Sequence, residues 1–120
     1  MHKEPKILLI EDNEGDVELI TEAFKEYKIN LDINVVSNGE EAIKYLSSKA
    51  KHTTEHRPDL ILLDINLPKV DGKEVLHFIK TDNILKTIPV IMLTSSSLQN
   101  DIYYFLETRV FEKHILKPSY

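Results

Sequence analysis

The sequence contains no cysteine, which excludes disulfide bonds, thiolate zinc sites and thiol nucleophiles. Long apolar runs are also absent. Blocks such as Ile7–Ile10 and Ile102–Leu106 are far shorter than the roughly 20 residues that cross a bilayer. Residues 1–5 are charged and include a proline, and they carry no apolar signal region. We therefore expect no membrane span and no export signal, with the cytoplasm as the default location.

Positive charge is in deficit. The chain has 15 Lys and Arg against 20 Asp and Glu, a formal net charge of −5, which argues against nucleic acid or an anionic membrane as the main partner.

The 120 residues are 42% hydrophobic, enough for one compact core. We expect a single domain over residues 1–120, with no linker or output domain.

Three uninterrupted apolar blocks predict strands that are buried on both faces, as in a parallel sheet covered by helices. These blocks span residues 7–10, 60–63 and 90–93, and residues 33–36 and 114–116 are weaker strand candidates. Between the strands, apolar residues recur at helical spacing. The first helix is predicted from Gly15 to Tyr27, and the other apolar stripes are Ala42, Ile43 and Leu46, then Val75, Leu76 and Ile79, then Leu98, Ile102, Phe105 and Leu106.

The second helix carries a capping signal at its start. Ser37 is placed to cap the helix and Glu40 to reach back to it. Strand and helix thus alternate four times before a last strand. That order implies right-handed crossovers and a doubly wound α/β domain.

Polar side chains follow the predicted strands where each strand ends. Glu11 and Asp12 follow the first strand, Asp64 the third, Thr94 the fourth and Lys117 the fifth. The carboxyl ends of parallel strands share one edge of the sheet, where open α/β sheets bind ligands. We expect these side chains to converge there.

Each residue also has a simpler explanation. The segment 11–13 and Thr94 are typical helix caps, and Lys117 alone is typical of a solvated lysine. Asp64 is harder to explain in this way, because a carboxylate at the end of a fully apolar strand needs a partner. No single residue decides between the two interpretations.

The residues are more informative as a group. Carboxylates about 4 Å apart repel by about 4 kcal/mol per pair at an effective dielectric of about 20, so three of them need a cation or a raised pKa. Oxygen ligands favour Mg²⁺ or Mn²⁺ over zinc. With a hydroxyl from Thr94 and a cation from Lys117, the set suits phosphoryl transfer onto Asp64.

The chain resembles the receiver domain of two-component response regulators, a flavodoxin-like (βα)5 module, from Lys6 to Ser119. The motifs that carry the resemblance are residues 7–13 (ILLIEDN), 62–68 (LLDINLP), 71–72 (DG), 93–95 (LTS) and 116–118 (LKP). Five short motifs in the correct order are together specific. The resemblance implies strand order 2-1-3-4-5. Residues 11–17 and the polar loop before Arg57 resemble stand-alone receivers paired with phytochrome-type sensor kinases.

The resemblance also implies roles for individual residues. Asp64 is the expected phosphoacceptor, and Asp12 and Asp64 are expected to ligate Mg²⁺. The remaining expected roles are Glu11 acting on the metal largely through water, Asn66 supplying a backbone carbonyl, and Thr94 and Lys117 contacting the phosphoryl group. The expected donor is a phosphohistidine of a sensor histidine kinase. Slow self-dephosphorylation would make the protein a switch and not a metabolic enzyme.

Two features depart from the family pattern. His114 stands where the family has an aromatic whose rotamer follows the threonine, so Thr94 and His114 are expected to form a smaller, pH-sensitive switch. Simple packing of His114 at a strand edge explains it equally well. The sequence also ends three residues after Lys117, where the family continues into a fifth helix. If 120 residues is the full length, we expect a homodimer to cover the open sheet face.

Two rival functions use the same residues. A phosphatase or phosphotransferase with an Asp nucleophile needs a second Asp two residues on as general acid, and Asn66 cannot supply that proton. A pseudo-receiver that binds partners without phosphorylation stays open. In either switch or binding module, a downstream protein target would contact the surface, and Tyr103–Phe105 on the predicted fourth helix are candidates for that contact.

Overall fold

The computed structural model describes residues 4–26, 30–48, 56–64, 67 and 72–93. These residues form four strands and three helices that alternate along the chain. The strands are β1 (Lys6–Ile10), β2 (Asp32–Val36), β3 (Leu60–Asp64) and β4 (Val90–Leu93), and the helices are α1 (Glu14–Glu26), α2 (Gly39–Ser47) and α3 (Gly72–Thr81). Each predicted strand and helix in this part of the chain is confirmed to within a residue or two.

The four strands form one parallel sheet in the order β2-β1-β3-β4. This confirms the predicted doubly wound α/β fold for the described strands. In the register of β1 against β3, Ile10 pairs with Leu63. In the register of β3 against β4, Asp64 pairs with Leu93. The strand ends therefore lie side by side along one edge.

The core consists of two apolar layers, one on each face of the sheet. Ile7 and Leu9 point toward α1 and pack with Ile20 and Phe24. Their neighbours in β1 point to the opposite face, where Leu8 and Ile10 pack with residues of α2 and α3, including Leu46, Val75 and Ile79. Because helices cover both faces, β1 and β3 have no solvent-facing side, which explains their uninterrupted apolar sequences.

The start of α2 differs from the sequence prediction by one residue. Asn38 is the cap, since its side-chain oxygen accepts a hydrogen bond from the Glu41 backbone N–H at 2.8 Å. Glu41, and not Glu40, reaches back to accept hydrogen bonds from the backbone N–H and hydroxyl of Ser37, both at 3.0 Å. The prediction of Ser37 as cap was wrong because the helix begins at Gly39, which makes Glu41 the third helical residue.

A short 3₁₀ turn, Leu85–Thr87, joins α3 to β4 and was not predicted. The side chain of Asp82 accepts hydrogen bonds from the backbone N–H groups of Ile84 and Leu85, each at 2.9 Å. Leu85 is fully buried in the layer beneath α3. The turn thus anchors the entry to β4.

Several predictions concern residues that the structure does not describe. They are the strand at 114–116, the fourth helix with Tyr103–Phe105, and the expected lack of a fifth helix. Within the described residues, none of the helices has the length and apolar character required to cross a bilayer.

Candidate functional site: an acidic cluster at the carboxyl edge of the sheet

Glu11 is held by the sheet although it lies one residue beyond β1. Its backbone N–H donates a hydrogen bond to the carbonyl of Val36 at 3.0 Å, which continues the β1–β2 pairing. The residue is 2% exposed. A carboxylate so deeply buried is costly unless it is protonated, paired or bound to a cation.

Asp64 is the last residue of β3 and is 4% exposed. The preceding residue, Leu63, pairs with Ile10, so Asp64 and Glu11 occupy equivalent positions on adjacent strands. Asp12 follows Glu11 and is exposed. The sheet register therefore brings the first and third strand ends together, as the sequence predicted.

The three carboxylates form one cluster. One oxygen from each of Glu11, Asp12 and Asp64 lies within 4.8 Å of the others. Two members are buried and the third faces solvent, so the cluster is open to solvent at Asp12. Asp12 also lines a groove of about 470 Å³ that runs beside the cluster, and its other lining residues are Glu11, Glu14, Val17, Glu18, Val35 and Ser37.

Electrostatics within the cluster favour a bound positive charge. Burial, and next a hydrogen bond between Glu11 and Asp64, raise the pKa of Glu11 from 4.5 to about 8, although the Asn13 backbone N–H acts in the opposite direction. Without a metal, a proton on Glu11 relieves the repulsion from Asp64. A bound cation could neutralise the same negative charge in place of that proton.

The donor set fits a hard divalent ion. All three side chains offer carboxylate oxygens, the ligands that Mg²⁺ and Mn²⁺ prefer, and thiol ligands are absent from the sequence. The exposed side at Asp12 leaves room for the waters that Mg²⁺ retains and for a phosphate oxygen. The cluster is therefore a candidate metal centre.

The structure brings together three of the predicted site residues. The other four, Asn66, Thr94, His114 and Lys117, lie outside the described residues. Leu93, which directly precedes Thr94, pairs with Asp64 across β3 and β4. The carboxyl end of β4 thus lies beside Asp64.

Sequence reasoning missed a contact of Asn13. The backbone N–H of Asn13 donates a hydrogen bond to Oε2 of Glu11 at 3.2 Å, and its side-chain oxygen accepts one from the Asp16 N–H at 3.0 Å. The capping interpretation of residues 11–13 was therefore correct for Asn13, while the two acids before it belong to the cluster. The available signal for the cap was an Asn directly before the first residue of the helix.

Comparison with known proteins gives close relatives. The chain is 40% identical over 104 residues to response regulator Rcp1 of Synechocystis sp., covering 87% of this chain and 71% of the relative. It is 38% identical over 114 residues to the probable methanogenesis regulatory protein FilR2 of Methanothrix harundinacea, covering 93% and 71%.

Solved structures agree with the sequence relatives. The phosphorylated cyanobacterial phytochrome response regulator RcpA matches with a TM-score of 0.73 at 34% identity, over 98% of both chains. The Mn²⁺-bound form of Rcp1 matches with a TM-score of 0.66 at 39% identity, over 86% of this chain and 74% of that one. The family profile described as "Response regulator receiver domain" matches residues 7–119. The chain therefore belongs to the response regulator receiver domain family, whose members serve phosphorylation-dependent signalling in two-component systems.

Proposed function

We propose that this protein is a signalling switch in which Asp64 accepts a phosphoryl group from a sensor histidine kinase in a Mg²⁺-dependent reaction. The observation that carries the proposal is the cluster of Glu11, Asp12 and Asp64 at the carboxyl edge of the sheet. Asp64 is held at the end of β3, where it is almost fully buried beside the other two carboxylates.

Asp12, Asp64 and Glu11 are the side chains proposed to hold Mg²⁺, with the Asn66 carbonyl as a further ligand and Glu11 acting largely through water. Mn²⁺ would bind in the same way, and one of the similar solved structures is the Mn²⁺-bound form of Rcp1. When bound, the divalent ion supplies positive charge that offsets the phosphoryl oxygens and the clustered carboxylates. The protein's part is to hold Asp64 in line with the donor.

In the proposed transfer, an oxygen of the Asp64 carboxylate forms a bond to phosphorus as the P–N bond to the donor histidine breaks. The electron pair of that bond stays on the imidazole nitrogen. In the later hydrolysis, a water oxygen bonds to phosphorus, the acyl phosphate bond breaks, and inorganic phosphate and the Asp64 carboxylate are released. The slow rate of this second step would make the protein a switch and not a turnover enzyme.

Three further roles are proposed from the sequence. Lys117 and Thr94 would contact the phosphoryl oxygens, the first by charge and the second by its hydroxyl. His114 would follow Thr94 when the phosphoryl group arrives. All three lie beyond the described part of the chain.

The relatives suggest the signalling partners. Because AtBRR, a similar solved protein at 38% identity, is described as a bacteriophytochrome response regulator, a phytochrome-type sensor kinase is the proposed phosphoryl donor. A downstream protein is proposed to contact the surface of the switch, in the cytoplasm. A homodimer is also proposed from the sequence, and sedimentation velocity at micromolar concentration tests it.

Incubation with acetyl phosphate and Mg²⁺, followed by intact-protein mass spectrometry, tests the phosphoacceptor. The wild type should gain the mass of one phosphoryl group, and Asp64→Asn should gain none. Asp59→Asn is the matched control, since Asp59 is an exposed carboxylate that binds the Lys6 backbone N–H at the other end of the sheet. A folded wild type that forms no adduct would favour the pseudo-receiver, and an adduct on Asp64→Asn would place the phosphoryl group elsewhere.

A further inference from the structure

Asn13 connects the start of α1 to the acidic cluster through three hydrogen bonds. Its side-chain oxygen accepts from the Asp16 N–H at 3.0 Å, and its carbonyl accepts from the Val17 N–H at 3.0 Å. These two bonds are those of a helix cap, and they fix the backbone of Asn13 relative to α1. The third bond runs from its own N–H to Oε2 of Glu11 at 3.2 Å.

The side-chain oxygen of Asn13 lies close to Gly15, where a larger residue would carry its Cβ atom. A Cβ atom at Gly15 would lie 3.1 Å from the side-chain oxygen of Asn13, closer than carbon and oxygen normally approach. Glycine within a helix costs about 1 kcal/mol relative to alanine. A side chain at this position would require the Asn13 oxygen to shift by a few tenths of an ångström from the place where it accepts from the Asp16 N–H.

We infer that Asn13 and Gly15 are positioning residues for the metal centre, because the capped backbone of Asn13 aims the Glu11 carboxylate at the ion. The inference rests on the proposed function, since it assumes that the cluster binds a divalent cation. Glu11 is buried and its backbone is held by Val36, so its side chain has few orientations available. The N–H of Asn13 selects one of these, and groups that orient a ligand in this way affect metal affinity strongly.

The chain contains a matched control for the loss of a cap. Asn38 caps α2 in the same way as Asn13 caps α1: its side chain accepts from the Glu41 N–H at 2.8 Å and its carbonyl from the Ala42 N–H at 3.0 Å. Replacing either asparagine with alanine removes one capping bond from one helix. Only at Asn13 is the backbone also bonded to a member of the cluster.

Mn²⁺ titration of the full chain, monitored by the electron paramagnetic resonance of the free ion, gives the affinity, and thermal unfolding gives the stability. Asn13→Ala should raise the Kd for Mn²⁺ about 10-fold, in the range found for groups that orient metal ligands. Asn38→Ala should lower the melting temperature comparably and leave the Kd unchanged. Asn13→Ser keeps an uncharged cap and should restore the wild-type Kd.

Gly15→Ala tests the same role by crowding the Asn13 side-chain oxygen, which it leaves in place. It should raise the Kd for Mn²⁺ in the wild-type background, although alanine favours the helix. In Asn13→Ala/Gly15→Ala the crowded oxygen is absent, so the second change should add nothing to the first.

The outcomes separate this inference from the proposed function. If the wild type binds Mn²⁺ and Asn13→Ala binds it equally well, the positioning role is wrong and the metal centre stands. The role is also wrong if Asn38→Ala weakens binding as much as Asn13→Ala does, because the effect would then be one of general stability. A folded wild type that binds no Mn²⁺ overturns both the metal centre and the positioning role.

Discussion

Glu11 has the most unusual chemistry of the described residues. It is buried, next to a second buried carboxylate, and its pKa is raised to about 8 by burial and by its hydrogen bond to Asp64. Protonation and metal binding are two ways to relieve the same repulsion. In the metal-free protein the proton on Glu11 does so, and at neutral pH a divalent ion that binds as proposed would have to displace it.

The raised pKa of Glu11 predicts how the stability of the metal-free protein depends on pH. The folded-state pKa of about 8 lies above the ordinary 4.5, so the contribution of protonated Glu11 is complete below pH 4.5 and is lost as the pH rises through about 8. Glu11→Gln stays neutral throughout. Relative to this variant, the wild type in EDTA should therefore lose free energy of unfolding across that range.

Urea unfolding of both proteins in EDTA at several pH values measures this difference. Glu22→Gln is the control, because Glu22 is an exposed carboxylate outside the cluster. A difference between Glu11→Gln and wild type that stays constant with pH would mean that folding does not raise the pKa of Glu11.

At the scale of elements, the ends of helices and strands position the site. Asn13 starts α1 beside the cluster, and the turn after α3 sets the entry to β4. From that entry, β4 pairs with β3 as far as Asp64, at the edge that carries the site. Local polar side chains thus decide where strands begin, while apolar residues decide which strands are buried.

Replacement of Asp82 tests whether its side chain anchors the turn before β4. Its carboxylate accepts hydrogen bonds from the Ile84 and Leu85 N–H groups, so Asp82→Ala should lower the free energy of unfolding by about 1–2 kcal/mol. Asp82→Asn keeps an acceptor oxygen and should cost less. Urea denaturation measures both, with an unchanged m value showing that the transition is the same.

Thr81→Ala provides the comparison for Asp82. Thr81 lies at the exposed end of α3, where its hydroxyl donates to the carbonyl of His77 at 2.8 Å. This replacement should have little effect on stability. Equal losses for Thr81→Ala and Asp82→Ala would contradict the anchoring role of the turn.

At the scale of the whole molecule, the proposed metal binding is coupled to folding. The cluster forms when β1 and β3 are paired, so a divalent ion bound there would prefer the folded protein to the unfolded chain. A ligand with this preference stabilises the entire cooperative unit. The stability of the protein therefore reports on the site.

Mg²⁺ at about a hundred times its Kd should add about 2.7 kcal/mol, and this should raise the melting temperature by about 10 °C for a chain of this size. Asp12→Ala removes the exposed member of the cluster and should reduce the rise strongly while leaving the core intact. Calorimetry with Mg²⁺, against K⁺ at equal ionic strength, measures the effect. A rise that Asp12→Ala retains in full would place the ion elsewhere.

Much of the fold followed from the sequence because its signals are periodic and local. Buried strands such as residues 60–63 need only an uninterrupted apolar block, and α1 needs only apolar residues at helical spacing. The start of α2 was wrong by one residue because Ser37, Asn38 and the acids at 40 and 41 offer two overlapping capping patterns. The turn at Asp82 was missed because its stabilising bonds follow no repeating pattern.

For the site, the sequence by itself determined which residues could meet, since parallel strands must end at a common edge and each predicted ligand follows a strand. Only the tertiary structure decided the environment of each one. Burial of Glu11 beside Asp64, exposure of Asp12 and the bond from Asn13 depend on the strand register and on the start of α1. A carboxylate's pKa depends on its solvation and its neighbours, and these are set by residues distant in the chain.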